Sequence, residues 1–511
     1  MGLVTEERTG PDDANPNLSC HELVRERIRA WMAQRPQDQG DLTETTVRLA
    51  YAEWLQATFD ALQQRNMTAA LQAGSRALIY CVQAQAWDQL SGFASSLVNG
   101  TRDPRLLDAL IPHLLTSAET APEGEARWLC LSFLADALQH SGRPDSSLPL
   151  FARAATLART EAETQGNNAR HDRYNLSSII GNSANAFRNI GYLDAARTRW
   201  IESTSILRNA DAPAINLICA ELETLRIDIR KGKVEAALPE IEMRLMQVQA
   251  WWERHRAGQK VPEAPDASFL ARALLGALNI ASEADFAREN WESALSRLET
   301  MLGVEQTLQH PAEDIVNTRI NRANVLKKIS GRQDEAKAEL EACLLLCQKN
   351  PAARATVFSS LASLFDKQDD ITQAIAQAGR ALALRNQLPD PAERVISHGN
   401  LCIYLERRRF PEDFTASGRN LLAALLYCLV IDHGQHLQIT FHNYTIRFRH
   451  ANANGEALAV LRIADLVADP AFAPLEQWLR QRQVSLDALQ AAVDDALDKA
   501  RQAALSAEHT P

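Results

Sequence analysis

From about residue 20 onward, apolar side chains recur at alternating spacings of three and four with polar residues between them, the period of helices that bury one face. The pattern predicts helices over residues 20–34, 44–65, 68–85, 87–98 and 104–117. Asp41-Leu-Thr-Glu44 and Thr101-Arg-Asp-Pro104 supply two of the helix starts. Residues 1–17 carry Gly, two Pro and Asp12-Asp13 without any period, and read as a flexible tail.

Past about residue 125 the pattern becomes a repeat. Each unit is a helix, a short turn at Gly, Asn or Asp, and a second helix in which Ala and a large apolar residue stand four apart. Asn182-Ser-Ala-Asn185-Ala-Phe187, followed by Gly191, Ala196 and Trp200, matches Asn321-Arg-Ala-Asn324-Val-Leu326, followed by Gly331, Ala336 and Leu340, apart from one inserted residue. Further copies turn at Gly142, Gly232, Asn290, Asp369, Arg409 and Asn452, in steps mostly close to forty residues. The small Ala lets the two helices of a hairpin approach, and the large residue one turn later fills the groove of the next hairpin. No single hairpin can bury its own apolar face, so the pattern specifies a stack. The expected organisation is a tail over 1–17, an N-terminal helical segment over 18–118, a repeat array over 119–468 and capping helices over 469–511.

These units resemble the tetratricopeptide repeat family, whose signature places Leu-Gly or Leu-Ala before an aromatic, then a Gly turn, then Ala and a second aromatic. The step here exceeds the family's roughly 34 residues, which implies longer helices and keeps HEAT or armadillo arrays as an alternative. The resemblance implies an all-α, right-handed superhelical solenoid. It also implies a scaffold or sensor that holds an extended segment of another protein in its concave groove. In peptide-binding members an Asn of the first helix bonds the ligand's backbone. Asn182, Asn400 and Asn443 each stand nine residues before a predicted turn, and Asn321 joins them if the inserted residue precedes Gly331. Asn185 and Asn324 lie one helical turn further along. Asn is disfavoured inside helices because it competes for backbone hydrogen bonds, so its recurrence suggests a use. An amide both donates and accepts, and so reads a peptide backbone whatever its side chains.

Charge narrows the partner. The 511 residues carry a formal net charge of −10, which argues against a general binder of nucleic acid or anionic membranes. Yet Arg188, Lys327, Lys328, Arg407 and Arg449 flank the Asn positions and suit an acidic segment. Eight cysteines are scattered through apolar helical runs as small hydrophobes, a usage that fits a reducing compartment. The opening residues lack a signal-peptide pattern, and residues 421–431 read as a buried helix, so a soluble cytoplasmic protein is expected.

Other features carry less chemistry. Trp251-Trp252 precede a loop over 258–266 that breaks the repeat, and read either as a binding protrusion with Trp anchors or as packing onto the next hairpin. His433, His436, His442 and His450 look metal-like by count, but no Cys or acidic pattern frames them. His398 and Cys402 share one helix at a spacing unsuited to a dyad, and Gly-x-Ser-x-Gly and His-Glu-x-x-His are absent. No catalytic site and no cofactor are expected. Residues 20–28, Cys-His-Glu-Leu-Val-Arg-Glu-Arg-Ile, resemble the end of the winged-helix segment of STAND-type signalling ATPases, with His21 at the nucleotide-reading position. The phosphate loop of that family is missing, since the one Gly-Lys pair, Gly232-Lys233, is followed by Val234. The resemblance implies, as an alternative, the sensor half of a switch whose ATPase is a separate chain.

Overall fold

The computed structural model describes residues 4–7, 17–20, 43–62, 66–100, 104–164, 169–312, 315–348, 350–388, 390–453 and 462–506. The segment over 21–42, with His21 and the helix expected there, lies outside them. Two short strands come first: β1 (Val4–Glu7) pairs antiparallel with β2 (Asn17–Cys20), Val4 opposite Cys20. Part of the stretch read as a tail, together with the start expected for the first helix, is thus a β-pair. Among the described residues everything else regular is helical, and the chain divides into two compact bodies, residues 1–101 with 112–130 and residues 102–111 with 131–511.

The first body is built on α1 (Glu44–Leu62), α2 (Met67–Gln83) and α3 (Trp87–Gly100). Asn66 caps α2 by accepting from the Ala69 amide at 3.2 Å. Phe59 and Phe93 meet edge to face at its centre, both essentially inaccessible to solvent. Helices α4 (Pro104–Thr120) and α5 (Glu125–His140) each contribute residues to both bodies.

The second body is the repeat array. After α6 (Pro144–Thr164) come α7 (Ala169–Asn189) with α8 (Leu193–Asn209), α9 (Ala214–Arg230) with α10 (Val234–Arg256), and α11 (Ala267–Ala287) with α12 (Trp291–Thr307). Then follow α13 (Val316–Leu326) with α14 (Gln333–Leu346), α15 (Pro351–Lys367) with α16 (Ile371–Arg385), and α17 (Pro391–Arg408) with α18 (Pro411–Ile431). From α6 to α19 (Gly434–Ala453), each helix packs on the next. The first helices of neighbouring hairpins also touch, as α9 does α11 and α13 does α15, which is how a solenoid buries faces that no single hairpin could. The expected Ala and large-apolar positions are core: Ala237, Ile241, Ala294, Leu298, Ala336, Leu340 and Ala374 are all buried. Gly142, Gly191, Gly232 and Gly331 take positive φ at their turns, and Asp369 and Arg409 do the same without glycine.

Asn452, expected at a turn, is still helical in α19, which ends at Ala453, and the connection between α18 and α19 carries a left-handed residue at Asp432. Trp252 is a core residue, 7% exposed, and Trp251 packs against the same core. The loop behind them folds inward through Val261 and Ala264, tied by the Ile215 amide donating to the Glu263 carbonyl at 3.1 Å. The insertion is structural packing and offers no tryptophan anchor.

The array ends in α20 (Ile463–Val467), a 3-10 turn over Pro470–Phe472, α21 (Ala473–Gln481) and α22 (Leu486–Ser506). Leu489, Val493, Ala500 and Ala504 of α22 cover the apolar end left by α18 and α19. Among the described residues α18 alone is long and apolar enough to cross a membrane, and it is the central helix of this terminal core.

The array also touches itself. The turn at Gly142 meets the start of α17, where an added Cβ would stand 2.5 Å from Asp390 Cα. The turn at Gly191 meets the start of α19, with the Gly434 amide donating to the Ile190 carbonyl at 2.9 Å. Arg482 pairs with Asp145 at 2.8 Å. Eleven helices, α6 to α16 and α8 to α18, separate the two sides of the respective turn contacts.

Candidate ligand-binding groove

The left-handed turns give a common ruler for the first helix of each hairpin. Nine residues before Gly191, Gly232, Asp369 and Arg409 stand Asn182, Glu223, Ser360 and Asn400; ten before Glu289 and Gly331 stand Asn279 and Asn321. Three residues on, a second row reads Asn185, Arg226, Ser282, Asn324 and Ser363, and Asp136 holds the same place relative to Gly142. Seven residues on, a third row reads Arg230, Lys328, Lys367 and Arg407. Positions i, i+3 and i+7 share one helix face, so the rows run along the array from α5 to α17.

Neighbouring helices are joined across these rows. Asn182 donates to both carboxylate oxygens of Asp136, at 2.9 and 3.1 Å. Burial pushes the Asp136 carboxyl up to about 7 against the opposing pull of that hydrogen bond. Arg188 pairs with Glu223, which Arg226 also approaches, and Arg226 donates to Glu283 at 2.9 Å while Asn279 donates to Glu283 at 2.9 Å. Arg230 makes no ion pair among the described residues. Burial, then Arg188 and Arg226, lower its pKa. Three guanidiniums therefore face two carboxylates on α7, α9 and α11.

Further along, a cavity of about 530 Å³ opens between α11, α13 and α15, with Asn279, Glu283, Asn321 and Asn324 among its lining residues. Lys327 and Lys328 line it too, as do Thr356, Ser359, Ser360 and Ser363. Lys327 is 8% exposed, and its ammonium donates to Ser363 Oγ at 3.2 Å. Burial pushes its pKa down to about 8, helped by Lys328 and Lys367. The side-chain carbonyl oxygens of Asn185 and Asn324 are buried without a protein partner, a state that costs free energy unless water or a ligand donates to them.

Of the residues expected to bind a peptide, Asn321, Asn324 and Lys328 share this cavity, and Asn182, Asn185 and Arg188 lie on the neighbouring stretch of the same rows. Asn400, half-buried on α17, lies outside the cavity. Arg407 is held by Asp366 and Asp369, so it is no free cation. Asn443 and Arg449 lie on α19, in which Asn452 is still helical, so the nine-residue register expected for Asn443 is not set at Asn452 itself. Glu223, Arg226, Arg230, Ser282, Ser360, Ser363 and Lys367 were missed, although the ruler that found Asn182 marks their places, and Glu283, off the rows, was missed as well. No group of His, Cys, Asp and Glu among the described residues is arranged to hold a metal. His433 and His436 sit at the Gly191 contact, and the His450 side chain lies outside the described residues.

The fold and these rows define the class: an all-α array of tetratricopeptide-like hairpins with a polar face on its first helices. No protein-family model matches the chain, and no curated protein matches it in sequence. Among solved structures it is similar to a Rap protein complexed with competence and sporulation factor, at 11% identity and TM-score 0.40, over 74% of this chain and 99% of that one. It is also similar to a signal transduction ATPase with numerous domains from Pyrococcus horikoshii that carries a tetratricopeptide repeat sensor, at 12% identity and TM-score 0.44, over 86% of this chain and 59% of that one. Yeast Tom70 matches at 12% identity and TM-score 0.34, over 87% of this chain and 99% of that one.

Proposed function

We propose that the chain is a non-catalytic binding protein, a scaffold or sensor, whose first-helix face holds an extended acidic segment of a partner protein. The observation that carries this reading is the pair of buried, unpartnered amide oxygens on Asn185 and Asn324, set in one row beside an excess of cations. Backbone N–H groups of an extended segment would satisfy those oxygens, and acidic side chains would meet Arg230, Lys327 and Lys328. Asp136, at the α5 end, sets a direction, because an acidic segment is repelled there and drawn toward α13.

The test is selection from a displayed library of extended peptides, with wild type compared to Asn185→Ala and Asn324→Ala. Acidic sequences should be enriched by wild type, and the double variant should bind them about thirtyfold more weakly, at roughly 1 kcal/mol for each lost hydrogen bond. Removing an acceptor that has no protein partner should leave the melting temperature unchanged or raise it. Equal enrichment by wild type and the folded double variant would sink the reading.

A further inference from the structure

We propose that the cavity between α11, α13 and α15 takes a phosphate monoester dianion, carried as a phosphorylated side chain on the segment held in the groove. This deepens the groove reading above and rests on it. Lys327 and Lys328 line this cavity, Lys367 lies beside it within electrostatic range of both, and none of the three has a carboxylate partner among the described residues. Lys327 donates to Ser363, Lys367 donates to the Lys327 carbonyl at 3.3 Å, and Lys328 lies over the rings of Phe286 and Trp291 at 5.8 and 5.6 Å. One carboxylate, Glu283, does line the cavity, where Arg226 and Asn279 donate to it, and Asp366 is engaged by Arg407. Asp334, exposed beside Lys367, forms no ion pair with it.

Lys327 and Lys367 close α13 and α15, and helix C-termini do favour cations. That accounts for a lysine at each helix end. It does not account for two lysines in the lining of a cavity that Thr356, Ser359, Ser360 and Ser363 also line, with a third lysine within electrostatic range of both. A carboxylate brings one charge and two oxygens. A phosphate monoester brings close to two charges at neutral pH and three oxygens that accept from ammonium and hydroxyl donors together, which fits both the charge excess and the donor set.

The test is calorimetric titration in chloride buffer with inorganic phosphate, O-phospho-L-serine and L-aspartate. Phosphate and phosphoserine should bind saturably and at least about tenfold more tightly than aspartate. Lys328→Ala and Lys367→Ala, both exposed positions that should fold normally, should each weaken phosphate about tenfold. Arg480→Ala, which removes an exposed cation on α21, should not change it. Affinity should fall below about pH 6, where the phosphate gains its second proton, and above about pH 8, where Lys327 loses its own. Phosphate binding no tighter than aspartate, or unchanged in the Lys328→Ala, Lys367→Ala double variant, overturns the inference. Peptide capture that survives phosphatase treatment while phosphate fails to bind overturns it and leaves the groove reading standing. Phosphate binding by a protein that retains no peptide overturns both the groove reading and the side-chain source.

Discussion

Gly191 and Gly331 have nearly the same backbone, φ 78° and 79°, yet different surroundings. A Cβ on Gly331 meets nothing within 4 Å, whereas one on Gly191 would stand 2.6 Å from the Gln435 amide nitrogen and 3.1 Å from the His433 ring. Gly331→Ala should therefore cost about 1 kcal/mol, the left-handed penalty alone. Gly191→Ala should cost about 3 kcal/mol or more, because backbone at the other side of the contact must shift as well. Urea titration of the two variants measures the difference, and equal losses would mean that the contact at Gly191 carries no stability. Both glycines were legible as turns, since a Gly after a helical period announces a left-handed cap. That one of them is also a contact with a residue more than two hundred positions away was not, because φ is a local property and contact is not. The same limit explains Arg407: its row is correct, but the sequence shows no sign that Asp366 and Asp369 hold it.

Helices carry the next scale, and α18 shows how much their limits depend on side chains just outside them. Asp413 accepts from the Phe410 amide at 3.2 Å and from Arg408 at 2.6 and 2.8 Å, closing the start of α18 against the end of α17. The Arg408 hydrogen bonds hold the Asp413 carboxyl below its ordinary value. Asp413→Ala strands an amide and a guanidinium together and should lower stability by about 2 kcal/mol in urea titrations near neutral pH. Because the folded value is depressed, the wild-type advantage should be present above about pH 4 and fade as pH falls further. An advantage that persists undiminished at pH 2 would show that the carboxylate charge plays no part. Helix positions in the first body and the Ala and large-apolar spacing of the array were readable because period and capping are local signals. The turn expected at Asn452 is a related case, since α19 is helical through that residue, and the left-handed residue that ends α18, Asp432, is no glycine and was not marked by the repeat.

At the scale of the whole array, the Gly191 turn meets the start of α19 across eleven intervening helices, and one histidine reports on that contact. The His436 amide donates to His433 Nδ1 at 3.2 Å, and the His433 ring also bonds the Asn189 backbone, so both nitrogens are satisfied only in the neutral ring. Burial pushes the His433 pKa down to about 4, with His436 adding to the effect, and His436 is lowered by its own burial. The other titratable groups facing the contact are Asp432, which accepts from the Tyr192 hydroxyl, and Glu393, which acts on His436. A folded value below the unfolded 6.5 means that the unfolded or opened chain takes the proton first. The contact is thus at full strength above pH 6.5 and weakens as pH falls toward 4, by about 3 kcal/mol for His433 alone. Global unfolding will not report this cleanly. Asp136 and Asp390 are raised to about 7 and 6, and their contributions run the other way, present in acid and lost as pH rises. The readout must be local: hydrogen exchange of the Gly434 amide, which donates across the contact to Ile190. Protection of that amide should fall between pH 6.5 and 4 once intrinsic exchange is corrected for, and His433→Gln should remove most of the fall while preserving a donor and an acceptor. If wild type and variant lose protection in parallel, proton uptake at His433 does not open the contact, and the acid response belongs to His436, whose pKa burial lowers in the same direction.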